Sequence, residues 1–205
     1  VTGADAAASE FDTPPEVFAP SFHRLRRHGM LHFTYHAGED FFHVLSGLRA
    51  IYEAMEYLEL QAGDRIGHAT AAGVDVRLWK ENIGERLWMR REDYLSDLLF
   101  AYYLIAGTKG CELESLLPKI ALRIEEYASK IYRDSYTVCE LIEAWLMRKA
   151  APFTLFKDML SRTEQICLYY HSKEGRERGK EIIMVDAYDI FGEEDRSEEH
   201  TSELQ

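Results

Sequence analysis

The chain has 205 residues, 46% hydrophobic and 29% charged, so it holds enough apolar material for a sizeable core, and its 13 Gly and 5 Pro are too few for a low-complexity chain. A formal net charge of −12 repels phosphate backbones and argues against a binder of nucleic-acid duplexes. No apolar run approaches the roughly 18 residues of a membrane span and no secretory signal is visible; Cys111, Cys139 and Cys167 stand far apart, which favours reduced thiols in a cytoplasmic compartment.

In chain order, VTGADA reads as a short strand. TPPEVFAPSFHRLRRHG reads as a helix, with prolines near its start, Arg24, Arg26 and Arg27 near its end, and Gly29 as its stop. MLHFTYHAG is a strand rich in aromatic residues, and FHVLSGLRAIYEAMEYLEL a helix whose apolar positions recur at three and four. RIGHAT is a further short strand. Strand, helix, strand, helix, strand predicts a βαβ-type parallel sheet over residues 1–80.

From 81 to 180 the pattern turns helical: REDYLSDLLFAYYLIAG, ELESLLPKIALRIEEYASKIYRD, SYTVCELIEAWLMRKA with a Thr137/Glu140 capping box, a break at Pro152, and LFKDMLSRTEQICLYYHS. KEIIMVDAYDIF, from Lys180, reads as a strand or, over 181–195, as the start of a further element. The chain opens without Met inside a strand, and RSEEHTSELQ (196–205) matches one translated frame of a common sequencing adapter. The expectation is therefore a fragment with an artefactual tail that takes no part in the fold.

In parallel α/β sheets, ligand groups gather at the C-terminal strand ends. Here one strand ends at Asp5 with Ser9 and Glu10 beyond, the next at His36 with Glu39 just past it, and the third at His68. An imidazole at a strand end can ligate Zn²⁺. Gly38 lets the chain turn and return Glu39 over the mouth, where a carboxyl can act as general acid or base, and His68 can orient or deprotonate a water.

His32, on the same face as His36, reads as a buried structural residue, and His43 as a surface residue in the first turn of a helix. Trp79, Trp88 and Trp145 read as packing groups. RERGK (176–180) reads as a solvated helix end rather than a phosphate site.

YHAGEDF and DRIGHAT, with the preceding GADAAASE, resemble the adenosine deaminase family of metal-dependent (β/α)8 barrels. The resemblance covers roughly residues 1–79 and implies a partial TIM barrel, with these strands as its fourth to sixth, carrying a large helical insertion. It also implies that His36 is a Zn²⁺ ligand, that Glu39 protonates the purine ring nitrogen, and that His68 positions and polarises the attacking hydroxide. Ala8 stands where the family has a glycine whose N–H approaches the purine, so Ala8 and Gly38 are expected to bind substrate. Ala69 also replaces a family glycine. The family's first-strand His-x-His and its eighth-strand aspartate do not occur in these residues.

The helical block after His68, together with HAGEDF, is similar to the large adenosine deaminase subunit of RADAR-type phage-defence systems. That likeness implies an adenosine or adenine-nucleotide substrate, a homo-oligomer and an ATPase partner for the full-length protein. Two alternatives stay open: an AMP deaminase-like aminohydrolase, and a catalytically inactive barrel bearing a helical assembly module.

Overall fold

A computed structural model describes residues 3–150 and 159–187. Three strands, β1 (Gly3–Ala6), β2 (His32–Ala37) and β3 (Arg65–His68), form a parallel sheet in the order β1-β2-β3. They alternate with α1 (Pro15–Arg27) and α2 (Val44–Tyr57), as the sequence pattern predicts. The architecture is α/β, and no closed barrel forms among the described residues.

Local chemistry sets these elements. Proline opens α1, where a missing N–H costs nothing; three arginines in its last turn complement the helix dipole; and Gly29 leaves it at φ +88°. Strand alternation then gives the sheet two unlike faces. Ala4, Ala6, Phe33, Tyr35, Ala37 and Ile66 pack against Ala19, Phe22, Ala54, Tyr57 and Leu58 of the two helices and the residue after them. The other face carries Asp5, Thr34, His36 and Gly67, and no helix covers it among the described residues. Parallel sheets ordinarily have both faces covered.

A second, larger core lies on the far side of α2. Its centre is α4 (Arg91–Gly107), where Tyr94 through Ala101 are buried without interruption, so the helix is enclosed on all sides. Around it pack α5 (Leu117–Ile131), α6 (Val138–Leu146) and α7 (Arg162–His171), with Ile120, Ile124, Ile131, Leu141, Trp145 and Ile166 in the interior. Pro118 begins α5, and α6 carries the predicted capping box. The short α8 (Lys173–Gly179) follows α7.

Two elements were not foreseen. α3 (Val76–Ile83) buries none of its residues, and β4 (Arg86–Arg90) pairs antiparallel with β5 (Ile182–Asp186). RLWMR gives too short an alternation to stand out beside a long helix, and its partner lies far along the chain. β5 settles KEIIMVDAYDIF as a strand as far as Asp186. The Pro152 break, residues 188–195 and the 196–205 tail lie outside the described residues.

Three side-chain expectations are corrected. His43 is the buried N-cap of α2: Nδ1 accepts the Leu45 N–H at 3.0 Å, leaving Nε2–H to meet the Ala187 carbonyl at 3.1 Å. His32 is exposed, because it starts β2 on the uncovered face. Trp88 is 63% exposed, because β4 turns Leu87 and Met89 inward instead.

The two cores share α2. Arg49 donates to Asp97 at 2.7 Å and to Glu53 at 2.9 Å, and Ser46 donates to Asp97 at 2.5 Å. The Trp145 indole donates to Glu53 at 2.6 Å, and the Tyr57 hydroxyl to the Trp145 carbonyl at 2.7 Å. No helix among the described residues is long and apolar enough to cross a membrane.

Candidate active site

The register places Asp5, His36 and His68 at one rim. Asp5 of β1 lies opposite Thr34 of β2, and His36 lies opposite Gly67 of β3. The His36 Nε2 stands 3.4 Å from an Asp5 carboxylate oxygen. The His36 and His68 rings are 5.1 Å apart, centroid to centroid, and the His68 Nε2 lies 3.1 Å from a Glu39 carboxylate oxygen. Three strand ends and one loop thus bring two imidazoles and two carboxylates together, with Glu39 and His68 half open to solvent.

Two backbone features hold this arrangement. His68 and Ala69 both adopt left-handed φ, at +61° and +49°, and the Ala69 N–H returns to the Ala37 carbonyl at 3.0 Å. Side chains pay strain in that conformation. On the neighbouring loop, Gly38 turns at φ +75°, where a Cβ would stand 2.7 Å from the Ile51 side chain.

That loop is clamped from below. The Glu10 carboxylate accepts the Gly38 N–H at 2.7 Å and the Glu39 N–H at 2.9 Å, with the Asp40 N–H at 3.4 Å. Successive N–H groups in a turn form an anion-binding nest, and here Glu10 fills it. The Gly38 N–H is thereby committed to Glu10. Ala8 lies exposed in the loop after β1.

Asp5 and Glu10 are polar strand-end residues whose positions were legible and whose roles were not. Gly67 was missed; its signal was its place opposite His36 once the two strands are aligned in parallel register.

As a metal site the arrangement is partial. A tetrahedral structural or catalytic zinc takes four ligands, of which His36 and Asp5 alongside it would offer two at most. Among the described residues no group of three or more His, Cys, Asp or Glu is placed to hold an ion. The chain matches no protein-family model and no curated protein sequence.

Proposed function

We propose that these residues form part of the active site of a zinc-dependent deaminase acting on adenosine or an adenine nucleotide. On this reading β1, β2 and β3 are the fourth to sixth strands of a (β/α)8 barrel, and the helical block is an insertion. The supporting observation is the meeting of His36, Glu39 and His68 at the C-terminal rim of a parallel sheet. Asp5 and His36 lie on its uncovered face toward the C-terminal strand ends, where barrel enzymes carry their active-site groups.

Zinc, when bound, supplies a water of pKa near 7 in place of 15.7. His36 would be one of its ligands. Glu39 sits on a clamped turn, half exposed, where its carboxyl can hand a proton to a ring nitrogen as negative charge builds there. His68 is within hydrogen-bond reach of Glu39 and faces His36, which suits it to orient the attacking oxygen and to hold the Glu39 carboxyl in place.

The test is conversion of adenosine and its phosphates to inosine-type products by the full gene product supplied with zinc. Glu39→Gln is expected to lower turnover by at least ~10²-fold, the ordinary worth of a general acid. Turnover near that of the parent protein would remove Glu39 from the role, and failure to deaminate any of these substrates would remove the reading.

A further inference from the structure

β4 and β5 form a ribbon of two strands, with no third strand on either edge among the described residues. Alternation divides its side chains between two faces. Leu87, Met89 and Val185 are buried in the larger core, with Ile183 packed against it. The outward set is Arg86, Trp88 and Arg90 on β4, and Ile182, Met184 and Asp186 on β5.

That outward face is apolar in its middle. Trp88 is 63% exposed, Ile182 57% and Met184 46%. The register sets Trp88 directly opposite Met184, and Ile182 is the next residue of β5 on the same face, so the three are contiguous. Single exposed apolar residues are ordinary on a protein surface, whereas a contiguous group rimmed by charge marks a contact site. Tryptophan is also among the residue types most enriched in interface anchors.

Charge selects the occupant. Each cross-strand pair joins unlike residues: Arg86 faces Asp186, Trp88 faces Met184, and Arg90 faces Ile182. A second copy laid face to face, about a two-fold axis parallel to the strands, sets each β4 over the other copy's β5. Trp88 then meets Met184 of the partner subunit, and Arg86 meets Asp186 of the partner subunit. Arg86 and Asp186 of both copies make a square of alternating charge. Arg90, held by Asp12 at 2.9 Å, offers its aliphatic stem to Ile182 of the partner subunit. A two-fold axis across the strands would instead bring Arg86 onto Arg90 of the partner subunit, like charge against like. The face is therefore complementary to itself in one orientation.

We infer that the outer face of the β4–β5 ribbon is a two-fold contact between copies of this chain, anchored by Trp88. Aligned packing of two such ribbons keeps their strands within about 30° of each other. Three partly exposed side chains and a charged rim fall short of the roughly 800 Å² per partner of a standard stable interface, so the association is weak.

Sedimentation velocity of the whole chain, over a series from about 1 to 500 µM, tests this. A monomer–dimer equilibrium with Kd on the order of 10–100 µM is expected. Trp88→Gln changes an exposed position and is expected to weaken the dimer by about tenfold or more while leaving the circular dichroism spectrum unchanged. Arg86→Glu is expected to weaken it as well, and adding Asp186→Arg to restore it, because the exchanged pair rebuilds the same square. This charge exchange decides the matter even if Trp88→Gln fails to fold. A monomer at every concentration would assign the face to an unlike partner and overturn the inference. So would a dimer unchanged by Trp88→Gln, or one tightened by Arg86→Glu, as the axis across the strands requires. The measurement uses neither zinc nor a deaminase substrate, so its outcome is independent of the function proposed above.

Discussion

Gly67 lies directly beneath the His36 ring: a Cβ on it would stand 2.5 Å from Nδ1. The imidazole keeps its position because β3 offers no side chain at this point of the register. Gly67→Ala is expected to push the ring off its place, costing about 1–3 kcal/mol of stability through overpacking and, on the zinc reading proposed above, weakening zinc binding by roughly 10–100-fold. Chelator competition and urea unfolding measure the two effects; unchanged zinc affinity would show that His36 is not a ligand.

Ala69 is the converse case. It holds φ +49° as a residue with a side chain, and replacing it by glycine removes that strain. Ala69→Gly is expected to raise stability by about 1 kcal/mol with no loss of His68 positioning, since the Ala69 N–H bond to the Ala37 carbonyl needs no side chain. A fall in the urea midpoint would contradict this.

Glu10 holds the turn that presents Glu39. Glu10→Ala deprives the Gly38 and Glu39 amides of a charge-assisted acceptor, at a cost of about 1.5–3 kcal/mol. Amide exchange at Gly38 and Glu39 is expected to speed up, while exchange in α5, which the loop does not touch, stays as it was. Equal protection at Gly38 and Glu39 in the two proteins would mean that the turn stands without its clamp.

Glu16 gives a pH dependence with a definite sign. Its folded pKa, about 7, lies above the ordinary glutamate value of 4.5, so the native state holds a proton that the unfolded chain releases. The associated stability is present below about pH 4.5 and is lost as pH rises through about 7. Asp93, raised to about 6 by burial, acts in the same direction. Glu16→Gln keeps an acceptor for Tyr170 and is expected to shrink the loss of stability between pH 5 and 8 by about 1–2 kcal/mol. An identical loss in both proteins would place the titration elsewhere.

The β/α part of the fold was legible because its signals are local. Prolines, arginines and Gly29 delimit α1; the period of Val44 to Leu58 marks α2; and aromatic residues mark β2. What escaped is long-range. β4 becomes a strand because β5 pairs with it, from Arg86 against Asp186 to Arg90 against Ile182. His43 is buried because Ala187 and Trp79 close over it, a contact no window of sequence contains. For the site, the rim residues could be named from strand ends alone. Glu10 as clamp and Gly67 as seat could not, because both depend on which backbone atoms end up beneath which side chain.

Placing α2 between two cores means that neither side is self-sufficient. Severing the polypeptide near residue 80 would take the Trp145 indole away from the Glu53 carboxylate and the Arg49 guanidinium away from the Asp97 carboxylate. The rim with its imidazoles and the helices behind it should therefore melt together, so that damage deep in the helical block would reach the chemistry by loosening the shared strut.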